Sequence, residues 1–337
     1  MFDDVISFQP LPRRAIALAA AASIAVLTGC STLSGPGAPT ATTSSTAEDT
    51  VIADDLAVLE DENLEAAIAH LVEDVEKEFG ATVSLAIVDG KQDFLAGADG
   101  SEPAWSTIKV PIAIAALRDG ASEELVDAAI KESDNDAALA LWNQVEWTEG
   151  SAQHSIEDLL NSFDSEVETD EAFGMSTWKV KDQARFASHL GCIPEAEYVY
   201  DAMSDIVDWQ KWGLSGLDGV HSKGGWGLDE DDGEYTSRQI GVMPVDGGEI
   251  GIAVSASWQT WDDDNSYLED SEYDAVEDIS AAALDEIASR LEILIEKALE
   301  TGELDPVNDC SETSRLAPVA TEPSADSIEE PAQESGN

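Results

Sequence analysis

Residues 104–117 constrain this chain more than any other stretch. After Lys109 they read Val-Pro-Ile-Ala-Ile-Ala-Ala-Leu, apolar on every side. A helix without a polar face belongs in an interior, so the fold must wrap other elements around it. Yet the stretch opens with Ser106 and Lys109, three positions apart and therefore on one helical face. Pro111 lacks an amide hydrogen and is tolerated only near the first helical turn, which keeps the helix start close to Ser106. The expectation is a hydroxyl and an amine side by side at the mouth of a buried helix. A serine becomes a nucleophile when a base takes its proton, and a desolvated lysine can be that base. The helix start adds unpaired amides that suit an oxyanion. Alone, the same residues also fit an N-cap serine and a solvated lysine.

The chain around this stretch has 337 residues, 43% of them hydrophobic, enough for one large domain or two small ones. Seventy-one acidic residues face 16 basic ones, a net charge of -55. Such a field repels phosphates, so nucleic acid is excluded as a partner through general electrostatics. It suits a self-repelling, soluble surface. Three cysteines without paired spacing and four scattered histidines predict no zinc or other metal site.

Residues 1–30 read as a targeting segment. Arg13 and Arg14 form a basic region, and 15–28 is an apolar run too short for a comfortable membrane span. The run ends Leu27-Thr28-Gly29-Cys30, which resembles the bacterial lipoprotein lipobox; Cys30 would then be the lipidated first residue of the mature chain. Residues 31–50, rich in Ser, Thr, Ala, Gly and Pro, are expected to form a flexible tether. The folded domain is expected over 51–305, and a disordered acidic tail over 306–337.

Inside that domain a helical pattern runs from residue 51, with Leu64, Ala67, Ile68, Leu71 and Val75 on one stripe. Strands are predicted over 81–88 and 92–98, joined at Asp89-Gly90. Helices follow over 122–131, from about residue 135, and over 155–163; 164–175 reads as an acidic loop. Further helices are predicted over 176–190, capped by Ser176, and over 195–207. Residues 209–219 read as a loop. Strands over 236–243 and 250–257 flank a Gly247-Gly248 turn. A last helix over 274–301 puts Leu284, Ile287, Leu291, Leu294 and Ala298 on one side. The order implies one α+β domain: an antiparallel β-sheet covered by the N- and C-terminal helices, with an inserted helical subdomain.

Three short motifs then fall into sequence: Ser106-x-x-Lys109, Ser133-Asp134-Asn135 and Lys223-Gly224-Gly225 at a strand start. In that order they resemble S-x-x-K, S-D-N and K-T-G of the serine β-lactamase and penicillin-binding protein superfamily. Arg238, at the start of the next strand, matches an arginine that class A β-lactamases use for the substrate carboxylate. The resemblance covers roughly residues 55 to 300. It implies that Ser106 is the acylated nucleophile, Lys109 its base, and Ser133 a proton relay to the leaving nitrogen. Asn135 would hold the substrate amide, Lys223 and Arg238 its carboxylate. Gly225 and Trp226 would line the same strand, with the amides of Ser106 and Trp226 forming the oxyanion hole. Lys109, Lys223 and Arg238 are expected to converge, and like-charge repulsion to lower the pKa of Lys109. The implied partners are a β-lactam or a peptidoglycan stem peptide, and the membrane through the lipid, on the extracytoplasmic face; no cofactor is implied.

Two departures matter. The class A Glu-x-x-Asn element is missing from 165–175, although Glu166, Glu168, Asp170 and Glu171 are present and Glu168 is a possible substitute. The third motif lacks its middle hydroxyl, a loss worth roughly 1 to 3 kcal/mol in a desolvated site. An acyl-enzyme is therefore expected to hydrolyse slowly. A binding lipoprotein that kept the fold and lost turnover, or an envelope protein acting through its acidic surface, are the alternatives. Cys192 and Cys310 either pair, as an oxidising compartment would allow, or stand as two independent thiols.

Overall fold

The computed structural model describes residues 47–231, 233–260, 270–307 and 310. The expected signal segment, Cys30, most of the tether and all of the tail beyond Cys310 lie outside them. Two contact units, Met1–Val51 and Ile52–Asn337, divide the chain. Of the first, only the opening of a helix is described; that helix, α1 (Ala47–Asp61), begins within the stretch expected as tether.

The helical pattern from residue 51 is two helices, because Asn63 interrupts it. Its side chain accepts from Ala66 N at 2.9 Å and caps α2 (Leu64–Phe79), which ends at Gly80 in the left-handed region. The expected stripe of α2 is buried. Next come β1 (Thr82–Val88) and β2 (Asp93–Gly97), then a 3-10 turn, Trp105–Ile108, that leads directly into α3 (Lys109–Arg118). The helical block continues with α4 (Glu123–Lys131), α5 (Asn135–Glu149) and α6 (Ala152–Asn161). After α7 (Val180–Ala187) and α8 (Glu197–Ala202) the chain returns to the sheet with β3 (His221–Asp229), β4 (Glu234–Val245) and β5 (Gly248–Gln259). It closes with α9 (Asp270–Thr301).

The five strands form one antiparallel sheet in the order β2-β1-β5-β4-β3. One face packs on α2 and α9 through Leu85, Ile87, Ile252, Val254, Leu284 and Leu291. The other face meets α7 and the helical block. Burial on both faces explains why β1 is buried at nearly every position, whereas edge strand β2 alternates. The buried residues of α3 run from Lys109 to Ala116 without a gap, as its composition demands. Among the described residues no helix is long and apolar enough to cross a membrane.

Several expected boundaries shift for identifiable reasons. Ser176 does not cap a helix: its hydroxyl accepts from Asp170 N at 3.0 Å, and Thr177 beside it is held extended by bridges to Pro103 and Glu168. The helix starts only at Val180. The pattern over 195–207 is a 3-10 turn, Pro194–Ala196, followed by the short α8. The tail is also tied down further than expected. Asp305 N donates to Asp89 Oδ2 at 2.9 Å, Val307 pairs with Glu249, and Cys310 forms a disulfide with Cys192.

Asp55, His70 and Asp74 bring metal-type ligand atoms within 4.8 Å of one another. Arg290 of α9 occupies them instead, with Nε and Nη2 each 2.7 Å from an Asp55 oxygen and Nη2 3.4 Å from Asp74. The cluster is an ion-pair network that fastens α1 and α2 to α9.

Candidate active site

The site begins with a local accident of geometry. In a 3-10 turn, side chains at i and i+3 eclipse. Ser106 sits inside such a turn and Lys109 follows it, with Lys109 N donating to Ser106 O. The two residues therefore leave the backbone on one side, and the Lys109 amine runs on to Ser133 and Asn135. Trp105, just before Ser106, has φ +49°, and Ser133 has φ +58°. Such backbone costs on the order of 1–3 kcal/mol per residue and persists only where the surroundings fix it.

Strand β3 does the fixing for Trp105. A Cβ at Gly225 would lie 2.6 Å from Ser106 N, and one at Gly227 would lie 2.6 Å from the Trp105 ring. The strand can approach the turn this closely only because both positions are glycine. As the edge strand, β3 also leaves alternate backbone groups without sheet partners, on the side where Lys109 and Ser133 meet Lys223.

Two lysines complete the arrangement. Lys109 Nζ donates to Ser133 O at 2.7 Å and to Asn135 Oδ1 at 2.6 Å, and reaches Ser133 Oγ at 3.4 Å. Lys223 Nζ donates to Ser133 Oγ at 2.9 Å, Gly224 O at 2.8 Å and Gln210 Oε1 at 3.3 Å. The Ser133 hydroxyl thus lies between two amines. Asp134, the middle residue of that motif, is the cap of α5, accepting from Ala137 N at 2.7 Å. Ser133 and Asn135 on either side of it are left to face the lysines. The cap is Asp134, and the side chains that meet the lysines are its two neighbours.

Both amines are almost fully excluded from water, Lys109 at 1% and Lys223 at 0% exposure. Burial lowers Lys109 to about 7, against the opposing pull of Asp134. Burial, then the charge of Lys109, holds Lys223 well below the ordinary lysine range. Of the two causes expected for Lys109, burial is the one that lowers it, and like-charge repulsion acts instead on Lys223. The Ser106 hydroxyl is not among the hydrogen-bond partners of Lys109; it is half-buried at the cleft.

Arg238 does not join the lysines. It is fully buried and donates to Glu102 O at 2.6 Å, Pro103 O at 3.0 Å, Trp178 O at 2.7 Å and Gly100 O at 3.4 Å. Burial lowers it to about 10, so it remains charged at neutral pH. It braces the loop before Ser106 through Nη1 and Nη2, while its Nε is buried without a partner. Trp226 is also turned away. Strand alternation sends Lys223, Gly225 and Gly227 to one face and Gly224 and Trp226 to the other. The Trp226 ring packs edge-on against Trp209 and Trp212, at 5.7 and 5.9 Å between centroids. Only its backbone remains for the cleft.

No acid of the loop is hydrogen-bonded to Lys109, Ser133 or Lys223. Glu166, Glu168, Asp170 and Glu171 are exposed, and Glu168 is held through its backbone by Thr177. The turn Phe173–Met175 lies beside Trp105, with the Gly174 Cβ direction 3.8 Å from Trp105 Cα, and Phe173 rests on Trp142. No hydrogen bond joins the Glu168 carboxylate, considered as a substitute, to Lys109, Ser133 or Lys223.

Gln210 was not foreseen. It is buried, donates Nε2 to Lys131 O at 3.1 Å and offers Oε1 to Lys223. Its stretch reads only as a loop, and no local pattern marks it. Gln183 donates to Thr107 Oγ1 at 3.2 Å, a second hold on the turn that carries Ser106.

No family model matches the chain, and no curated protein matches it. Solved structures similar to it include the TLA-3 extended-spectrum beta-lactamase, at 15% identity and TM-score 0.48, covering 66% of this chain and 98% of that one. A class A beta-lactamase from Bacteroides cellulosilyticus DSM 14838 is similar at 14% identity and TM-score 0.47, with the same coverage. A variant of the last common ancestor of Gram-negative bacteria beta-lactamase class A is similar at 20% identity and TM-score 0.47, covering 66% and 97%.

Proposed function

We propose that this chain is a serine hydrolase or acyltransferase of the penicillin-recognising type, acylated at Ser106 by a β-lactam or a D-alanyl peptide and slow to release the acyl group. The single observation that carries this reading is the meeting of Lys109, Ser133 and Lys223 around one hydroxyl, beside the turn that holds Ser106. In this reading Ser106 Oγ bonds to the scissile carbonyl carbon and its proton passes to neutral Lys109. The carbonyl oxygen takes the negative charge near the amides of Ser106 and Trp226. Ser133 hands a proton to the leaving nitrogen as the amide bond breaks, and the lysines restore it. Release then needs a base to activate water. The segment beside Trp105 offers Phe173, Gly174 and Met175, which supports a long-lived acyl-enzyme.

The missing hydrogen bond between Ser106 and Lys109 favours a second reading, a degenerate binding protein that kept the fold. Intact-mass analysis after penicillin exposure, with a nitrocefin-type turnover assay alongside, separates the two. A persistent adduct lost in Ser106→Ala supports the first; no adduct at any concentration supports the second.

We also infer that the chain is lipidated at Cys30 and held at the extracytoplasmic face of a membrane. Support comes from the order of Arg13-Arg14, apolar run and Cys30, and from a disulfide that suits an oxidising compartment. Metabolic labelling with a clickable fatty acid should mark the wild type and spare Cys30→Ala.

A further inference from the structure

We propose that Gln210 is a positioning residue for acylation: its side-chain amide aims the Lys223 amine at the Ser133 hydroxyl, and so keeps in line the hydroxyl that hands a proton to the leaving group. The inference rests on the acyl-serine reading above and adds a residue to its proton path.

Gln210 is 1% exposed, and both ends of its amide are bonded. Nε2 donates to Lys131 O at 3.1 Å, and Oε1 accepts from Lys223 Nζ at 3.3 Å. A backbone carbonyl can only accept, so Lys131 O fixes which end of the amide is which and leaves the oxygen facing Lys223. The backbone around Gln210 is anchored at the same place. Val207 N donates to Lys131 O at 3.1 Å, Gln210 N donates to Val207 O at 3.0 Å, and Lys131 Nζ holds Asp205 at 3.2 Å.

Lys131 is the last residue of α4, and Ser133 follows two positions later. The bonds therefore close a ring. It runs from Lys131 O to Gln210, from Gln210 to Lys223, from Lys223 Nζ to Ser133 Oγ at 2.9 Å, and back along the chain to Lys131. Lys223 is fully buried and has three acceptors, as many as an ammonium has protons. One of them, Gly224 O, belongs to the next residue of its own strand, so Ser133 and Gln210 are what hold the amine from the far wall. Without Gln210 Oε1 one donor of a buried amine loses its acceptor, and the amine turns away from Ser133 to recover one.

During acylation by a β-lactam the Ser106 Oγ–carbon bond forms and the carbon–nitrogen bond breaks. The serine proton, taken by Lys109, ends on the nitrogen through Ser133, and no further reactant is needed. An amide nitrogen does not leave as an anion, whereas p-nitrophenolate does. Misaiming Lys223 and Ser133 should therefore slow a β-lactam more than a p-nitrophenyl ester.

Gln210→Met keeps the bulk of the side chain and removes both bonds; Lys131 O retains Val207 N, so the loss falls on Lys223. The full chain, wild type and variant, is mixed with a concentration series of benzylpenicillin and separately with p-nitrophenyl acetate. The Ser106 adduct is followed by intact mass, with Ser106→Ala as the control. The limiting rate with benzylpenicillin should fall roughly 10- to 100-fold, a part of what proton transfer supplies. Its half-saturating concentration should move less than about threefold, and labelling by p-nitrophenyl acetate should fall at least about fivefold less than that by benzylpenicillin. Gln210→Asn, one methylene shorter, keeps an amide in place but cannot span both partners. It should show the same selective loss, and it decides the matter where the Met variant does not fold. Equal losses with the two reagents, a change confined to the half-saturating concentration, or no loss overturns the inference and leaves the acyl-serine reading standing. A wild type that forms no adduct with benzylpenicillin overturns both.

Discussion

Lys223 Nζ and Ser133 Oγ lie 90 residues apart in sequence and meet at 2.9 Å. One belongs to the edge strand and the other to the loop entering α5, so this contact joins the two walls of the cleft. Ser133→Ala removes the hydroxyl shared by both amines and should lower the acylation rate roughly 10²- to 10⁴-fold. Because φ is +58° at this residue, Ser133→Gly should be about 1 kcal/mol more stable than Ser133→Ala while equally inactive. Thermal melts and intact-mass kinetics on the pair check both parts. Equal stabilities would mean that this backbone is not strained.

Gly225→Ala tests the close approach of strand and turn. The added methyl would meet Ser106 N at 2.6 Å and Trp105 Cβ at 2.9 Å, and the nearer neighbour is backbone. Displacing the turn by an ångström costs on the order of 100-fold in rate, and overpacking adds about 1–3 kcal/mol of destabilisation. The variant should fold with a native circular dichroism spectrum, melt lower, and acylate at least 100-fold more slowly. Unchanged labelling would show that the turn has room to move.

Arg238→Met separates a structural role from a recognition role. Four carbonyls lose their donor, against relief from burying a charge with no carboxylate in ion-pair reach among the described residues. The loss outweighs the relief, at about 2–4 kcal/mol net. At roughly 2–4 °C per kcal/mol for a domain of this size, the melting temperature should fall by about 4–16 °C. Below that temperature the ratio of acylation by benzylpenicillin to acylation by its methyl ester should not change. A selective loss of the benzylpenicillin rate would return Arg238 to the substrate site.

The fold and much of the site were legible because their signals are local. An apolar run with no polar face can only be a central helix, and α3 is one. Ser106 and Lys109 were placed at the start of that helix and they stand there, but the amine bonds to Ser133 and Asn135 and not to the Ser106 hydroxyl. What was not legible depends on distant partners. Strand alternation gives the face Arg238 points to, but not that backbone carbonyls of a loop 135 to 138 residues earlier in the chain surround it. Gln210 has no periodic neighbours, and its value comes from Lys131 and Lys223. Nothing near Gly224 in the sequence reports the Trp212 ring that fills the space beside it. The pairing of Cys192 with Cys310 closes a separation of 118 residues, which no short-range pattern can report.

The same disulfide should matter for stability and leave the chemistry intact. It ties the strap after α9 to the turn before α8, far along the chain from Ser106, Ser133 and Lys223. The chain-entropy argument gives about 5 kcal/mol for a loop of this length, as an upper bound. Cys192→Ser with Cys310→Ser should lower the melting temperature by several degrees while acylation at 20 °C stays within about threefold of wild type. A collapse of acylation in a folded variant would show that the strap reaches the site.

The pH dependence follows from Lys109, whose pKa is lowered by burial to about 7 in the folded chain from 10.5. As a general base it must be neutral, so the acylation rate should rise with pH and level off above about 7. Lys223 interacts with it, so the apparent value belongs to the pair. The sign for stability is set by which state holds the proton. Between about 7 and 10.5 the unfolded chain keeps the proton and the folded chain does not, so this group makes stability rise with pH across that window. Lys109→Met removes both effects. It should abolish acylation, and it should stabilise the fold most at pH 6, by on the order of a few kcal/mol. The gain should shrink steadily towards pH 10. Denaturant melts of wild type and variant at pH 6, 8 and 10 supply the measurement; a gap independent of pH would mean that Lys109 keeps its ordinary pKa and cannot be the base.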